Sequence, residues 1–139
     1  IKHRLQFVKS IKGSSYINDS KATNISSVIA AINSFNAPII LLLGGKNKDS
    51  DFRLLLPHTK RHVKHIVSFG EAGGEIATAI GDAVRLDITS SLNQAVASAH
   101  KIASPGDIIL MSPGCASFDE FKNFEDRGEK FIKMVNILK

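Results

Sequence analysis

An α/β domain built on a mainly parallel sheet, with helices on both faces and a hairpin at the N-terminus, is what this 139-residue sequence predicts. Two observations carry the prediction. Ile39-Ile40-Leu41-Leu42-Leu43 is apolar without a break, the pattern of a strand covered on both faces. From Ser15 onward, strand-like runs alternate with stretches whose apolar residues recur at helical spacing, the order that crossover helices between parallel strands require.

Each element has its own justification. His3 to Ile11 alternates apolar and polar residues, Lys12-Gly13-Ser14 turns, and Ser15-Tyr16-Ile17 resumes the alternation, which makes a hairpin. Asn24 to Phe35 repeats its apolar residues at helical spacing, with Asn24 or Thr23 as the cap, and Asn36-Ala37-Pro38 ends it. The buried strand Ile39 to Leu43 closes on Gly44-Gly45, and the charged loop Lys46 to Phe52 leads to a helix over Arg53 to His62. Val63 to Phe69 is a strand; Gly70 to Gly74 turns into a helix through Ile80; Ala83 to Leu86 is a weak strand. Ser91 to Ala103 is a helix, Pro105-Gly106 turns, and Asp107 to Met111 is a last buried strand. Asp119 to Leu138 is predominantly helical. Together these make a Rossmann-like three-layer arrangement in one domain, residues 1–139.

Composition narrows the function. Hydrophobic residues at 43% and charged residues at 22% suit a globular chain that buries a full core without staples. No apolar run approaches the ~20 residues of a membrane span, and Ile1-Lys2-His3-Arg4 lacks the apolar core of a signal peptide. The single cysteine, Cys115, excludes an internal disulfide and fits a reducing, cytoplasmic setting. The chain opens in mid-pattern on Ile1 rather than Met, which suggests a piece of something longer. A net charge of +5 favours an anionic partner. Scattered lysines, aromatics that do not interleave with them and the lack of a recognisable motif argue against nucleic acid and for a small anionic substrate.

Tyr16 to Asn24 reads as strand, loop and helix N-terminus, so free N–H groups, the Lys21 ammonium and Ser and Thr hydroxyls would converge, with Asp19 offering the opposite charge. In open α/β sheets the ligand lies beyond the carboxyl ends of the strands. That rule puts three loops on one edge: Asn18 to Asn24, Gly44 to Asp51 and Ser112 to Ser117. Lys21, Lys46, Lys48, Thr23, Ser112 and Ser117 then suit a small dicarboxylate or a phosphate.

Tyr16-Ile-Asn-Asp-Ser-Lys-Ala-Thr-Asn24, Leu43-Gly-Gly-Lys-Asn-Lys-Asp-Ser-Asp-Phe52 and the long run Met111 to Phe131, with His3-Arg4 in front, occur in one order along the chain. They resemble the C-terminal domain of the Mur ligases, in the branch that adds D-glutamate during peptidoglycan synthesis. The resemblance implies an ATP-dependent, cytoplasmic amide-forming reaction on UDP-N-acetylmuramoyl-L-alanine, through an acyl phosphate attacked by the D-glutamate amine. It implies that Thr23, Lys48, Ser117 and Phe124 hold the D-glutamate carboxylates, with Lys21 in the same pocket and Phe118 on its wall. His3, Arg4 and Asp19 would face ATP. The uridine-diphosphate and ATPase domains, with the phosphate loop and the magnesium ligands, would lie upstream. No catalytic residue and no metal ligand is therefore expected in this chain, and alone it should be inactive. Gly44-Gly45-Lys46-Asn47-Lys48 fails the spacing of a phosphate loop. A free-standing α/β module that binds an anionic metabolite or nucleotide without catalysis is the alternative.

Other conspicuous residues have plainer readings. Cys115 lacks an evident base and reads as a packed thiol. His58, His62 and His65 straddle a helix–strand boundary and read as a weakly basic surface rather than a metal site; His100 reads as surface. Asp119 and Glu120 read as first-turn residues of the last helix.

Overall fold

The computed structural model describes residues Ile1–Lys139. Six strands form one sheet in the order β1-β2-β6-β3-β4-β5. They are β1 (Gln6–Ile11), β2 (Ser14–Asn18), β3 (Ile39–Gly44), β4 (Val63–Phe69), β5 (Arg85–Ile88) and β6 (Ile108–Gly114). Only β1 and β2 pair antiparallel, as the N-terminal hairpin; the other neighbours are parallel. The helices are α1 (Ile25–Ile32), α2 (Leu56–His62), α3 (Gly73–Ile80), α4 (Leu92–Ile102) and α5 (Phe124–Asn136).

Every residue of β3 is buried, as an uninterrupted apolar run demands. Its side chains alternate between layers: Ile39, Leu41 and Leu43 join Ile25, Val28 and Ile32 of α1, while Ile40 and Leu42 join Phe131 and Val135 of α5 and Leu92 and Val96 of α4. This sandwich of helices, sheet and helices is the three-layer fold. Burying each large apolar side chain contributes roughly 1.5–3 kcal/mol, so the central strand anchors both halves of the core.

Several boundaries differ from the expected ones for local reasons. β1 starts at Gln6 because His3 and Leu5 turn the chain with φ of 66° and 43°. A 3-10 turn at Phe52–Leu55, capped by the Asp51 carboxylate, precedes α2. The weak strand lies at Arg85–Ile88, two residues later than expected, where β5 pairs with β4 at the sheet edge. β6 continues past Met111 to Gly114, along the flanking β3. α5 begins only at Phe124, because the Asn123 side chain accepts the Asp126 N–H and caps it there.

Asp119 and Glu120 therefore lie outside α5 and serve other segments. Asp119 Oδ2 accepts the Glu71 N–H at 3.0 Å, and Glu120 Oε2 accepts the N–H of Leu92, the first residue of α4, at 3.2 Å. Glu120 thus favours the dipole of a neighbouring helix rather than its own. His100 is half-buried and bonds through Nδ1 to the hydroxyl of buried Tyr16 at 3.1 Å. His65 meets Asp87 at 2.9 Å, and no group of three His, Cys, Asp or Glu could hold a metal ion. No helix is long and apolar enough to cross a membrane.

Candidate functional site

Strand order decides what meets at the carboxyl edge. β6 pairs with β2 on one side and β3 on the other, so the loops that follow these three strands leave the sheet side by side. Thr23, Lys48 and Ser117, one from each loop, line one pocket of about 300 Å³ together with Ala116, Phe118, Asn123 and Phe124. Such a volume is at the small end of ligand sites, which run to roughly 1,000 Å³.

Local bonding explains how each polar group reaches the pocket. Asn24 takes the capping role for α1, its Oδ1 accepting the Ser27 N–H at 2.9 Å, and Thr23 keeps its hydroxyl free. An antiparallel bridge joins the loops of Lys48 and Ser117: the Lys46 N–H donates to the Ala116 carbonyl at 2.8 Å and the Ala116 N–H to the Lys46 carbonyl at 3.0 Å. Gly45 beneath this bridge has φ of 127°, and a Cβ there would overlap the Ala116 carbonyl and stand 3.1 Å from Cys115 Cβ. Asn47 shapes the next turn, its Oδ1 accepting the Ser50 N–H and its Nδ2 donating to Glu75 Oε2 at 2.9 Å. Lys48 then projects from the turn, exposed and unpaired, and lines the pocket while Lys46 does not. At the far wall α5 begins: Asn123 takes the N–H groups of Asp126 and Arg127, leaving those of Phe124 and Glu125 open.

A second hollow of about 280 Å³ adjoins the other side of the Asn18 to Asn24 loop, lined by Arg4, Leu5, Asp19, Lys21, Ala22 and α1 residues. Lys21, expected beside Thr23, is here, where its N–H donates to the His3 carbonyl at 2.9 Å. Asp19 is buried and well bonded: Oδ1 accepts the Leu5 N–H at 3.0 Å and Oδ2 the Ser112 hydroxyl at 2.8 Å. Burial nonetheless pushes its carboxyl above the ordinary range, against those two bonds and the Arg4 charge. His3, expected to face the nucleotide with Arg4, points inward at 4% exposure. Its Nδ1 bonds to Asn18 Nδ2 at 2.9 Å and its Nε2 lies 3.4 Å from Glu129, so it braces the hollow from behind.

One residue escaped the sequence reading. Arg127 is fully buried, and its guanidinium donates to Ser20 Oγ at 2.9 Å, the Ser20 carbonyl at 2.8 Å and the Cys115 carbonyl at 3.0 Å. Ser20 Oγ in turn donates to the Phe124 carbonyl at 2.7 Å. Burial lowers the Arg127 pKa to about 10, still well above neutrality, so the side chain stays a cation. The available signal was its spacing: Arg127, Phe131 and Val135 recur every four residues, placing a charge on the apolar stripe of α5. Cys115, beside it, is 1% exposed and its thiol is pushed up to about 12 by burial, which suits packing rather than nucleophilic attack.

The fold and rim define an α/β domain whose carboxyl edge carries an amide- and hydroxyl-lined pocket beside an open hollow with two cations, Arg4 and Lys21. Residues 3–115 match the family described as "Mur ligase, glutamate ligase domain", and the chain belongs to that family. It is 49% identical over 133 residues to the UDP-N-acetylmuramoylalanine--D-glutamate ligase of Chlamydia caviae, an alignment covering 96% of this chain and 32% of that protein. The chain thus spans about a third of the length of the curated relatives it matches. Among solved structures, the MurF ligase of Thermotoga maritima in complex with ADP shares the fold with a TM-score of 0.62 at 13% identity, over 96% of this chain and 30% of that one. A bifunctional folylpolyglutamate synthase/dihydrofolate synthase with Mn, AMPPNP and L-glutamate bound does so at 0.66 and 16%, over 99% and 32%.

Proposed function

We propose that this chain is the D-glutamate-binding, C-terminal domain of an ATP-dependent cytoplasmic ligase that adds D-glutamate to UDP-N-acetylmuramoyl-L-alanine in peptidoglycan synthesis. The observation that carries the reading is the meeting of Thr23, Lys48 and Ser117 in one pocket with their polar ends unpaired within the chain. A dicarboxylate needs donors at both ends, and the pocket has them. Lys48 and Thr23 serve one carboxylate; the Ser117 hydroxyl and the Phe124 N–H serve the other, with the positive end of α5 adding to the field. Phe118 covers the pocket from outside.

Held this way, D-glutamate presents its amine to the activated L-alanine carbonyl. In the overall step the terminal carboxylate takes the γ-phosphoryl group of ATP and ADP leaves, the neutral amine attacks the acyl phosphate, and the tetrahedral adduct expels inorganic phosphate while the nitrogen gives up its proton to solvent. The chain's contribution is to bind and orient the amino acid, which converts a bimolecular attack into a positioned one. The Arg4–Asp19–Lys21 hollow fits the neighbouring nucleotide: two cations for phosphate oxygens and a carboxylate for ribose hydroxyls. Magnesium would be held by the other domains of the full-length ligase.

The test uses the full-length enzyme. Lys48→Ala and Ser117→Ala should each raise the KM for D-glutamate about ten- to a hundredfold, the range for losing a hydrogen bond to a charged group. The KM for ATP should change far less. Equal effects on the two substrates would remove the assignment.

A further inference from the structure

We infer that α5 is a shared backstop for both hollows, with Arg127 positioning the amino-acid pocket and its neighbour Gly128 setting the nucleotide hollow through His3. The inference rests on the function proposed above. Arg127 touches no open surface, yet its bonds reach the segments that carry Thr23 and Ser117. Two go to Ser20, three residues before Thr23; one goes to Cys115, two residues before Ser117. The Ser20 hydroxyl, held by Arg127, closes the ring by bonding the carbonyl of Phe124, a residue that lines the pocket. A planar fork with donors at fixed angles holds these separate segments in register, and an ammonium cannot reproduce that geometry.

Gly128 acts in the other direction. A Cβ there would overlap the His3 ring, with Cε1 at 2.6 Å. The His3 ring is fixed by Asn18, while its backbone N–H donates to Gln6 Oε1 at 3.0 Å and its carbonyl accepts the Lys21 N–H at 2.9 Å. Between His3 and Leu5, both with positive φ, the chain makes the sharp turn that presents Arg4, and Asp19 pins Leu5. Displacing His3 therefore moves Arg4 and the Asp19 turn together, and through Asn18, which accepts the Ser20 N–H, and the Phe124 ring packed edge-on against His3 it also reaches, more weakly, the amino-acid pocket.

The test compares Arg127→Lys, Ser20→Ala and Gly128→Ala in the full-length ligase, with Lys48→Ala as the reference for the functional reading. Arg127→Lys should raise the KM for D-glutamate about tenfold or more, as weakening one donor to a carboxylate does, and leave the KM for ATP within about twofold. Ser20→Ala should shift the same constant in the same direction by a smaller factor, and it carries the test if Arg127→Lys fails to fold. Gly128→Ala should show the reverse weighting, a KM for ATP raised several-fold more than the KM for D-glutamate. If Lys48→Ala raises the D-glutamate KM while the three variants only lower the melting temperature or shift both constants equally, this inference fails and the functional reading stands. If Lys48→Ala leaves that constant unchanged, the functional reading itself fails.

Discussion

Gly45 and Gly74 give a matched pair of substitutions with opposite expected signs. At Gly45, φ of 127° excludes a comfortable L side chain, and an added Cβ overlaps the Ala116 carbonyl, with the Arg127 guanidinium 3.4 Å away. The backbone conformation alone costs about 1–3 kcal/mol. Relieving the overlap means opening the Lys46–Ala116 bridge, whose two hydrogen bonds contribute about 1 kcal/mol each. Gly45→Ala should therefore lose about 3–5 kcal/mol, a fall in melting temperature of about 10–17 °C for a domain of this size. Gly74, near the start of α3, has nothing within 4 Å of a Cβ and no positive φ. Gly74→Ala should gain about 0.5–1 kcal/mol from helix propensity and reduced freedom of the unfolded chain, or about 2–4 °C. Thermal unfolding followed by far-UV circular dichroism reads both. Because the bridge also holds the loops of Lys48 and Ser117, Gly45→Ala in the full-length enzyme should raise the KM for D-glutamate as well. A Gly45→Ala protein that melts within about 1 °C of wild type with an unaltered KM would refute the account of the rim.

Two further predictions concern buried ionisable groups. Asp19 has a folded pKa raised above its ordinary value of 3.8 by burial, so the native state binds the proton more tightly than the unfolded chain does. The stability this contributes is present below 3.8 and is lost as pH rises through the folded value; Asp19→Asn, which keeps an acceptor oxygen, should remove that fall. Melting temperatures of wild type and variant across the acid range test this, and a constant difference would contradict it. Cys115, with a thiol at about 12 instead of 9.0, has a thiolate fraction at pH 8 reduced from about one in ten to about one in ten thousand. A thiol reagent should label it only when the protein is unfolded in denaturant; labelling of the native protein at the rate of a free thiol would overturn its description as packed.

The fold was legible because its signals are local. An unbroken apolar run is enough to mark β3 as covered on both faces, and periodicity with caps is enough to place α1 and α4, whose Asn24 and Ser91 accept the N–H groups of Ser27 and Gln94. Errors fell where a distant partner decides: β6 runs on to Gly114 because β3 flanks it there, and α5 waits for Asn123 while Glu120 is drawn to the start of α4. Arg127 was missed because a lone arginine on a helix gives no sign of which carbonyls will surround it.

From its letters alone this chain determined an α/β sheet with a hairpin, a charged rim, and the residue types fit to hold a small dianion. Only the tertiary structure decided which of those residues share a hollow. Inserting β6 between β2 and β3 brings Thr23, Lys48 and Ser117 together, while the bond from Lys21 to His3 turns Lys21 toward Arg4. The reason is the range of the forces involved. Hydrophobic period and capping act within a few residues of the chain, whereas strand order and the bonds from Arg127 to Ser20, 107 residues away along the chain, join distant segments.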